Sequence, residues 1–232
     1  MIPLKDENPT RLFPFVTIGI IVTNVVIFLH QISLGIDGFH GFVLQMSVIP
    51  YELTHFVGLR PENPIPTFLT PITAMFTHGG FLHIAGNMLY LWIFGNNVED
   101  ILGHFRFTFF YIGCGIIATF FQILLQPNST LPMVGASGAI AGVLGAYLIR
   151  FPGARIYTLF FFLFFIRIVR IPAVIVLGFW FLIQLTNAIS SLGMSGGGVA
   201  WFAHIGGFIT GMIVMAKYRR RGRIRVYYRR ER

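Results

Sequence analysis

The chain has 232 residues, of which 55% are apolar and only 11% are charged. Soluble domains carry about 25% charged residues, so this composition excludes an ordinary soluble globule and favours one membrane domain. The net charge of +9 could indicate a nucleic-acid binder, but nine of the seventeen basic residues lie in the last sixteen positions, after an apolar run. Such a segment typically contacts anionic lipid, so we predict a lipid contact and no nucleic acid.

Six apolar runs predict six transmembrane helices. The first has no charged residue over more than twenty positions, which is enough to cross a bilayer, and no small-residue cleavage pattern follows it. Prolines in the long outer loop that follows, residues 35–79, break any long helix. We therefore predict an all-α polytopic bundle with a membrane domain over residues 13–216 and spans at 13–34, 80–98, 106–126, 133–149, 172–189 and 200–216.

The segment 150–171 lies between the fourth and fifth predicted spans. It is rich in phenylalanine, but Arg155, Arg167 and Arg170 flank or interrupt it, and its apolar part is too short to span. We predict an interfacial loop, with phenylalanines at the acyl boundary and arginines at the headgroups.

The distribution of Lys and Arg predicts the orientation in a cell membrane, plasma or inner. With the N-terminal segment, residues 1–12, inside, the inner segments carry sixteen basic residues and the outer segments carry only Arg60. The positive-inside rule then places both this segment and the basic tail, residues 217–232, in the cytoplasm.

Polar side chains within the predicted spans need a partner or a cavity, because hydrocarbon offers neither. Four stand out: His83, Asn87, Ser137 and His204. Ser137 lies thirteen residues before Arg150, and His204 lies thirteen residues before Lys217. Thirteen residues rise about 20 Å in a core about 30 Å thick, so both side chains are expected about 10 Å below the outer surface.

These residue types at one depth predict acyl-transfer chemistry. Ser137 would be the nucleophile and His204 its base, and no Asp or Glu at that depth completes a triad. The Asn87 side chain and free N–H groups where the helix of Ser137 begins would stabilise an oxyanion. Gly135 and Gly138 allow the backbone to approach closely.

Each residue taken alone also has a structural explanation. Ser137 beside glycines could serve helix packing, and His204 could be an interhelical hydrogen bond. A zinc site formed by His78, His83 and His204 is weaker, because the sequence has no H-E-x-x-H motif and no carboxylate near these histidines, so we predict no metal and no cofactor. A transporter is disfavoured by the lack of carboxylates in the spans.

The combination resembles the rhomboid family of intramembrane serine proteases in residue order, spacing and number of spans. The matching segments are His83-x-x-x-Asn87, Gly135-Ala136-Ser137-Gly138 and Ala203-His204-Ile205-Gly206 followed by Gly211. The resemblance implies that Ser137 attacks a peptide bond of a single-pass transmembrane substrate and that His204 is its base. It assigns Asn87 and His83 to the oxyanion hole and His78 to a supporting role, with no metal or nucleotide.

Two departures from the family pattern concern the loop and the base. The outer loop lacks the Trp-Arg pair of many members, and Ala141 stands where an aromatic residue often packs on the catalytic histidine. Trp201 and Phe202 are the candidates for orienting His204.

Two segments are expected to control access to the site. The glycine-rich segment 191–200 is expected to act as a lid, and the aromatic residues 179–181 are candidates for a gate. A catalytically silent protein that binds client transmembrane segments is the alternative function.

Overall fold

The computed structural model describes residues 1–59, 63–162, 165–192 and 199–221, which form a bundle of long helices with a small sheet at one end. Two short 3-10 turns flank α4. In chain order the elements are β1 (Ile2–Asp6), α1 (Phe15–Ser33), α2 (Gly35–Met46), α3 (Pro50–His55), α4 (Thr70–Thr73), α5 (Phe81–Leu102), α6 (His104–Leu125), α7 (Ser137–Arg150), β2 (Arg155–Phe162), β3 (Phe165–Pro172), α8 (Ala173–Ser190) and α9 (Trp201–Arg221).

Helix α7 lies at the centre of the bundle, and every residue from Ala139 to Tyr147 is buried. It packs closely against α9 through glycines. A Cβ atom added to Gly145 would overlap the backbone of Phe208, and one added to Gly211 would overlap the backbone of Gly142. Small residues let helix backbones touch in this way, so the two helices that carry Ser137 and His204 are held at short range.

Three helices in the described part of the chain are long and apolar enough to cross a membrane: α1, α6 and α8, with mean hydropathies of 2.0, 1.9 and 1.8. The other predicted spans overlap α5, α7 and α9. Helix α7 has only 14 residues, while α5 and α9 carry polar side chains that face the protein interior. The fold is therefore mostly helical, and the count of six spans stays a prediction.

The fourth and sixth predicted spans differ from the helices in the structure. Helix α7 begins at Ser137 rather than at Met133, because the preceding residues pair with the outer loop. Met133 forms a β-bridge with Val48, and the N–H of Gly135 donates to the carbonyl of Ala74 at 2.8 Å. Helix α9 continues past residue 216 into the predicted tail and reaches Arg221.

The prediction that residues 150–171 form a loop in an all-α protein was wrong. Strands β2 and β3 form an antiparallel hairpin, with Arg155 opposite Pro172, and β1 pairs antiparallel with β2 on the other side. Aromatic and β-branched residues favour strands, and pairing satisfies backbone groups that would otherwise be costly near hydrocarbon. The edge position of β1 tolerates Pro3, which lacks an N–H group.

The start of α1 is fixed by two carboxylates at the end of α5. Glu99 is fully buried and accepts hydrogen bonds from the backbone N–H groups of Val16 and Thr17 at 2.9 and 2.8 Å. Asp100 accepts from two backbone N–H groups just before the helix, at 3.1 and 2.8 Å. Glu99 thus satisfies N–H groups that a helix start leaves open, Asp100 fixes the chain just before the helix, and both negative charges lie near the positive end of the helix dipole.

Candidate active site

Ser137 and His204 lie side by side at the end of the bundle opposite the sheet. Ser137 is the first residue of α7, and His204 lies in the first turn of α9. The Oγ atom of Ser137 is 2.7 Å from Nε2 of His204, which is hydrogen-bond distance. Helix contact through glycines brings these residues, 67 positions apart in the chain, to the spacing that a nucleophile and its base require.

The His204 ring is buried and contacts three side chains besides Ser137. Oε1 of Gln184, in α8, lies 2.8 Å from Nδ1 of His204. The ring of Trp180 is tilted at 35° with its centroid 5.9 Å away, and the ring of Trp201 stands edge-on at 6.0 Å. Of the two residues expected to orient His204, Trp201 therefore makes a ring contact.

Phe202, the other candidate, packs in a cluster with Ala188 and Ile205. Trp180 was expected only as part of a gate and not as a contact of the base, and Gln184 was not predicted to belong to the site. One signal could have pointed to Gln184: it is an uncharged polar residue in the middle of an apolar helix, and such residues require a partner.

Gly135 lies where the predicted oxyanion donors converge. Its φ of +120° belongs to a region that other residues rarely adopt. A Cβ atom added there would lie 2.6 Å from Nε2 of His83 and 3.6 Å from Nδ2 of Asn87. The glycine thus lets the His83 ring pack directly on the backbone two residues before Ser137, with the Asn87 amide beside it.

Hydrogen bonds orient both of these side chains. The backbone N–H of Gly79 donates to Nδ1 of His83 at 3.4 Å, so the ring proton of neutral His83 is on Nε2, the nitrogen beside Gly135. Nδ2 of Asn87 donates to Nε2 of His78 at 2.9 Å. The His78 ring is fully buried. The side-chain amide of Gln31 accepts a hydrogen bond from the backbone N–H of His78 and donates one to the backbone carbonyl of His78.

The seventh predicted site residue, Gly138, contributes to packing. A Cβ atom added to Gly138 would lie 2.8 Å from Cβ of Ala118, so glycine here allows α6 and α7 to approach. Among the described residues, the predicted nucleophile, base and oxyanion donors form one continuous cluster, and His78 joins it through Asn87.

A cleft opens beside this cluster. It has a volume of about 720 Å³ and is lined by the segment 125–133, the end of α8 and the start of α9. Asn128, Ser129, Asn187 and Ser190 make part of its wall polar. A small cavity of about 30 Å³ adjoins Ser137 and shares Met133 and Ala200 with the cleft, which is room for at least one water molecule.

The expected lid falls mainly on residues 193–198, which lie outside the described residues. In the described part of the chain, His, Cys, Asp and Glu side chains form no group of three that could hold a metal ion. Both ring nitrogens of His204 face other protein groups, Ser137 and Gln184.

Comparisons with known proteins place this arrangement in a family. A model of the rhomboid domain matches residues 66–221. The chain is 34% identical over 130 residues to the bovine presenilin-associated rhomboid-like protein, mitochondrial, covering 54% of this chain and 34% of that protein. It is 32% identical over 161 residues to rhomboid protein 1, mitochondrial, of Saccharomyces cerevisiae, covering 67% and 43%.

A bacterial relative matches a shorter stretch. The Bacillus subtilis protein named "Putative rhomboid protease YdcA" is 39% identical over 77 residues, which cover 33% of this chain and 38% of that protein. The matches thus span about a third to two fifths of the relatives' own lengths.

The apolar helices and the buried polar cluster define a multi-pass membrane protein. The matched domain covers about two thirds of the residues, and the chain belongs to the rhomboid family. The resemblance drawn from the sequence is confirmed.

Proposed function

We propose that this protein is an intramembrane serine endopeptidase that cleaves single-pass transmembrane proteins with a Ser137–His204 dyad. The observation that carries the proposal is the 2.7 Å distance between Oγ of Ser137 and Nε2 of His204, next to a small cavity lined by Ser137 and Gly135. Membership of a family that includes a protein named as a protease supports it.

In the first step, His204 Nε2 removes the hydroxyl proton of Ser137 as Oγ bonds to the carbonyl carbon of the substrate. The carbonyl π electrons move to the oxygen. Nε2–H of His83, the second Nδ2 hydrogen of Asn87 and the backbone N–H of Ser137 would stabilise this oxyanion. Collapse of the intermediate breaks the C–N bond, and His204 gives its proton to the leaving amine.

The second step hydrolyses the acyl-enzyme. Water gives a proton to His204 while its oxygen attacks the acyl carbon, and the bond to Oγ breaks as Ser137 regains its proton. Water needs a route to a site among apolar helices. The cleft of about 720 Å³ and the small cavity beside Ser137 provide room for such a route, and an extended substrate segment would enter from the same side.

The membrane arrangement belongs to the same proposal. We propose that the six spans cross the plasma or inner membrane of a cell. In this arrangement the start of α7 lies near the outer surface and both termini lie in the cytoplasm. The sixteen-to-one distribution of basic residues supports this orientation. Reporter fusions at residue 60 and at the C-terminus test it, with an outer signal expected only at residue 60, and localisation of the tagged chain identifies the membrane.

Cleavage of a single-span substrate in liposomes tests the activity. Ser137→Ala and His204→Ala are each expected to lower the rate at least about a thousandfold. Ser33→Ala and His30→Ala, which change exposed residues of α1, are the matched controls and are expected to cleave normally. Thermal unfolding checks that every variant is folded.

Two outcomes would contradict the proposal. Equal cleavage by the wild type and both dyad variants assigns the activity to another site or to a contaminant. Capture of several substrates by a folded wild type that cleaves none of them supports the client-binding alternative.

A further inference from the structure

Gln184 is a buried polar residue in one of the most apolar helices of the protein. Helix α8 has a mean hydropathy of 1.8, and the Gln184 residue is only 5% exposed. A side-chain amide in such a place must have its hydrogen bonds satisfied within the protein. Its two polar atoms have the partners His204 and Trp180.

The Trp180 contact fixes which way the amide points. Oxygen and nitrogen of a glutamine amide are distinguished by their partners, because a carbonyl oxygen only accepts hydrogen bonds. The backbone carbonyl of Trp180 lies 3.2 Å from Nε2 of Gln184, so the NH₂ group belongs at that position. Oε1 then faces Nδ1 of His204 at 2.8 Å and accepts a hydrogen bond from it.

This acceptor determines where the proton of a neutral His204 ring lies. Only a protonated Nδ1 can donate to Oε1 of Gln184, and a neutral imidazole carries one ring proton. Nε2 is then unprotonated and presents its lone pair to Oγ of Ser137, 2.7 Å away. The other tautomer would place a hydrogen on Nε2 and could not accept the serine proton.

We infer that Gln184 is a positioning residue that holds His204 in the Nδ1-protonated form and aims its Nε2 at Ser137. The inference deepens the proposed function and rests on it for its catalytic consequence. Gln184 gives the base a neutral acceptor from α8, in a site where a buried carboxylate would carry a desolvation cost. The rings of Trp180 and Trp201 restrict the plane of the imidazole, while the Gln184 oxygen determines which ring nitrogen carries the proton.

Gln184→Met removes the acceptor and nearly keeps the side-chain volume. We expect kcat to fall about tenfold to a hundredfold with KM little changed, because one buried hydrogen bond of the base is lost. Asn24→Leu is the matched control. Asn24 is a fully buried amide in the apolar helix α1, and its Nδ2 donates to the carbonyl four residues earlier at 2.8 Å, as that of Gln184 does at 3.2 Å. Because α1 carries none of the predicted site residues, this change should leave the rate of the folded protein within about threefold of wild type.

Gln184→Glu restores an acceptor and adds a charge that favours imidazolium. Its kcat near the optimum should lie within about tenfold of wild type, and the acid limb of its pH–rate profile should move to higher pH. A purely structural role for Gln184 predicts no such movement. Unchanged kcat and pH profile in Gln184→Met, or equal losses in Gln184→Met and Asn24→Leu with no shift in Gln184→Glu, would overturn the inference.

A spectroscopic measurement separates this inference from the protease proposal. The ¹⁵N spectrum of histidine-labelled protein, with His204→Ala to assign the signal, should report a protonated Nδ1 and a bare Nε2 in the wild type. The signal should change in Gln184→Met and persist in Asn24→Leu. A protonated Nε2 in the wild type refutes the inference even if the chain cleaves substrates. The expected tautomer in a chain that cleaves nothing supports the positioning role and counts against the protease.

Discussion

Helix α7 has a buried polar network at each of its ends, and the two networks differ in how their hydrogen bonds are used. At its first residue, Ser137 meets His204 beside a small cavity that Gly135 also lines, and nitrogens of His83 and Asn87 lie next to Gly135. The cavity is a place where a substrate atom could lie. We call this the outer network.

The inner network joins the other end of α7 to the first strand. Oδ2 of Asp6 accepts hydrogen bonds from the Tyr147 hydroxyl and from Nδ2 of Asn97, both at 2.8 Å. Nδ2 of Asn8 donates to the same hydroxyl at 2.8 Å. Asp6 is only 7% exposed, and its Oδ2 and the Tyr147 hydroxyl already have protein partners.

The difference teaches how to separate a reactive polar cluster from a structural one. Burial and hydrogen bonding are common to both networks, so neither property identifies a site. In the outer network, the second Nδ2 hydrogen of Asn87 is a donor available to a ligand, and a cavity adjoins Ser137. In the inner network, the hydrogen bonds join β1 to α5 and α7. Variants of the inner network should therefore change stability, and variants of the outer network should change rate.

The largest expected difference comes from two asparagines of α5. Asn87→Ala removes a predicted oxyanion donor, and kcat should fall about 10²–10³-fold. Asn97→Ala removes a similarly buried asparagine from the inner network, so stability should fall by about 1–3 kcal/mol while kcat of the folded protein should stay unchanged. Cleavage rates normalised to folded protein measure both effects. Equal loss of kcat in the two variants would erase the distinction between the networks.

A pH effect on stability is the next in size. Burial raises the pKa of Asp6 from 3.8 to about 6, so the folded state binds this proton more tightly than the unfolded chain does. The free energy of unfolding should therefore fall as pH rises from about 4 through about 6, by about 3 kcal/mol. Unfolding in detergent at pH 4 to 8 measures it.

Asp6→Asn should remove this pH dependence, because asparagine does not titrate. Glu7→Gln, at the neighbouring exposed position, should leave it intact. A wild-type stability that rises over the same pH interval, or an Asp6→Asn variant with an unchanged profile, contradicts the role given to Asp6.

The smallest expected effect concerns the start of α1. Asp100→Ala removes the acceptor for two backbone N–H groups and should cost about 0.5–1 kcal/mol, with no change in kcat. Asp100→Asn keeps an acceptor oxygen and should lose less. Thermal unfolding of both variants checks the order, and a larger loss in the asparagine variant would argue against hydrogen bonding as the cause.

The outer network was largely predictable from the sequence because helices have a fixed rise. Counting thirteen residues back from Arg150 and from Lys217 predicts that Ser137 and His204 lie at one depth. Close packing of α7 against α9 then brings the two side chains to hydrogen-bond distance. The start of α7 was not predictable in the same way. It depends on pairing of Met133 with Val48, across 85 positions of sequence.

The inner network and the sheet escaped prediction for the same physical reason. Pairing of β1 with β2 joins Ile2 to Leu159, and no local pattern in the first twelve residues indicates such a partner. Gln184 escaped because its role depends on the distance to a histidine on another helix. Local rise and composition can be read along a chain, whereas a partner from a distant segment cannot.

The most direct test of the account is reaction of the folded wild type with a fluorophosphonate, which modifies only activated serines. The account predicts one adduct per chain, mapped by peptide mass spectrometry to Ser137, absent in His204→Ala and retained in Asn97→Ala. No adduct, or an adduct on another serine, would contradict the claim that the outer network is the reactive one.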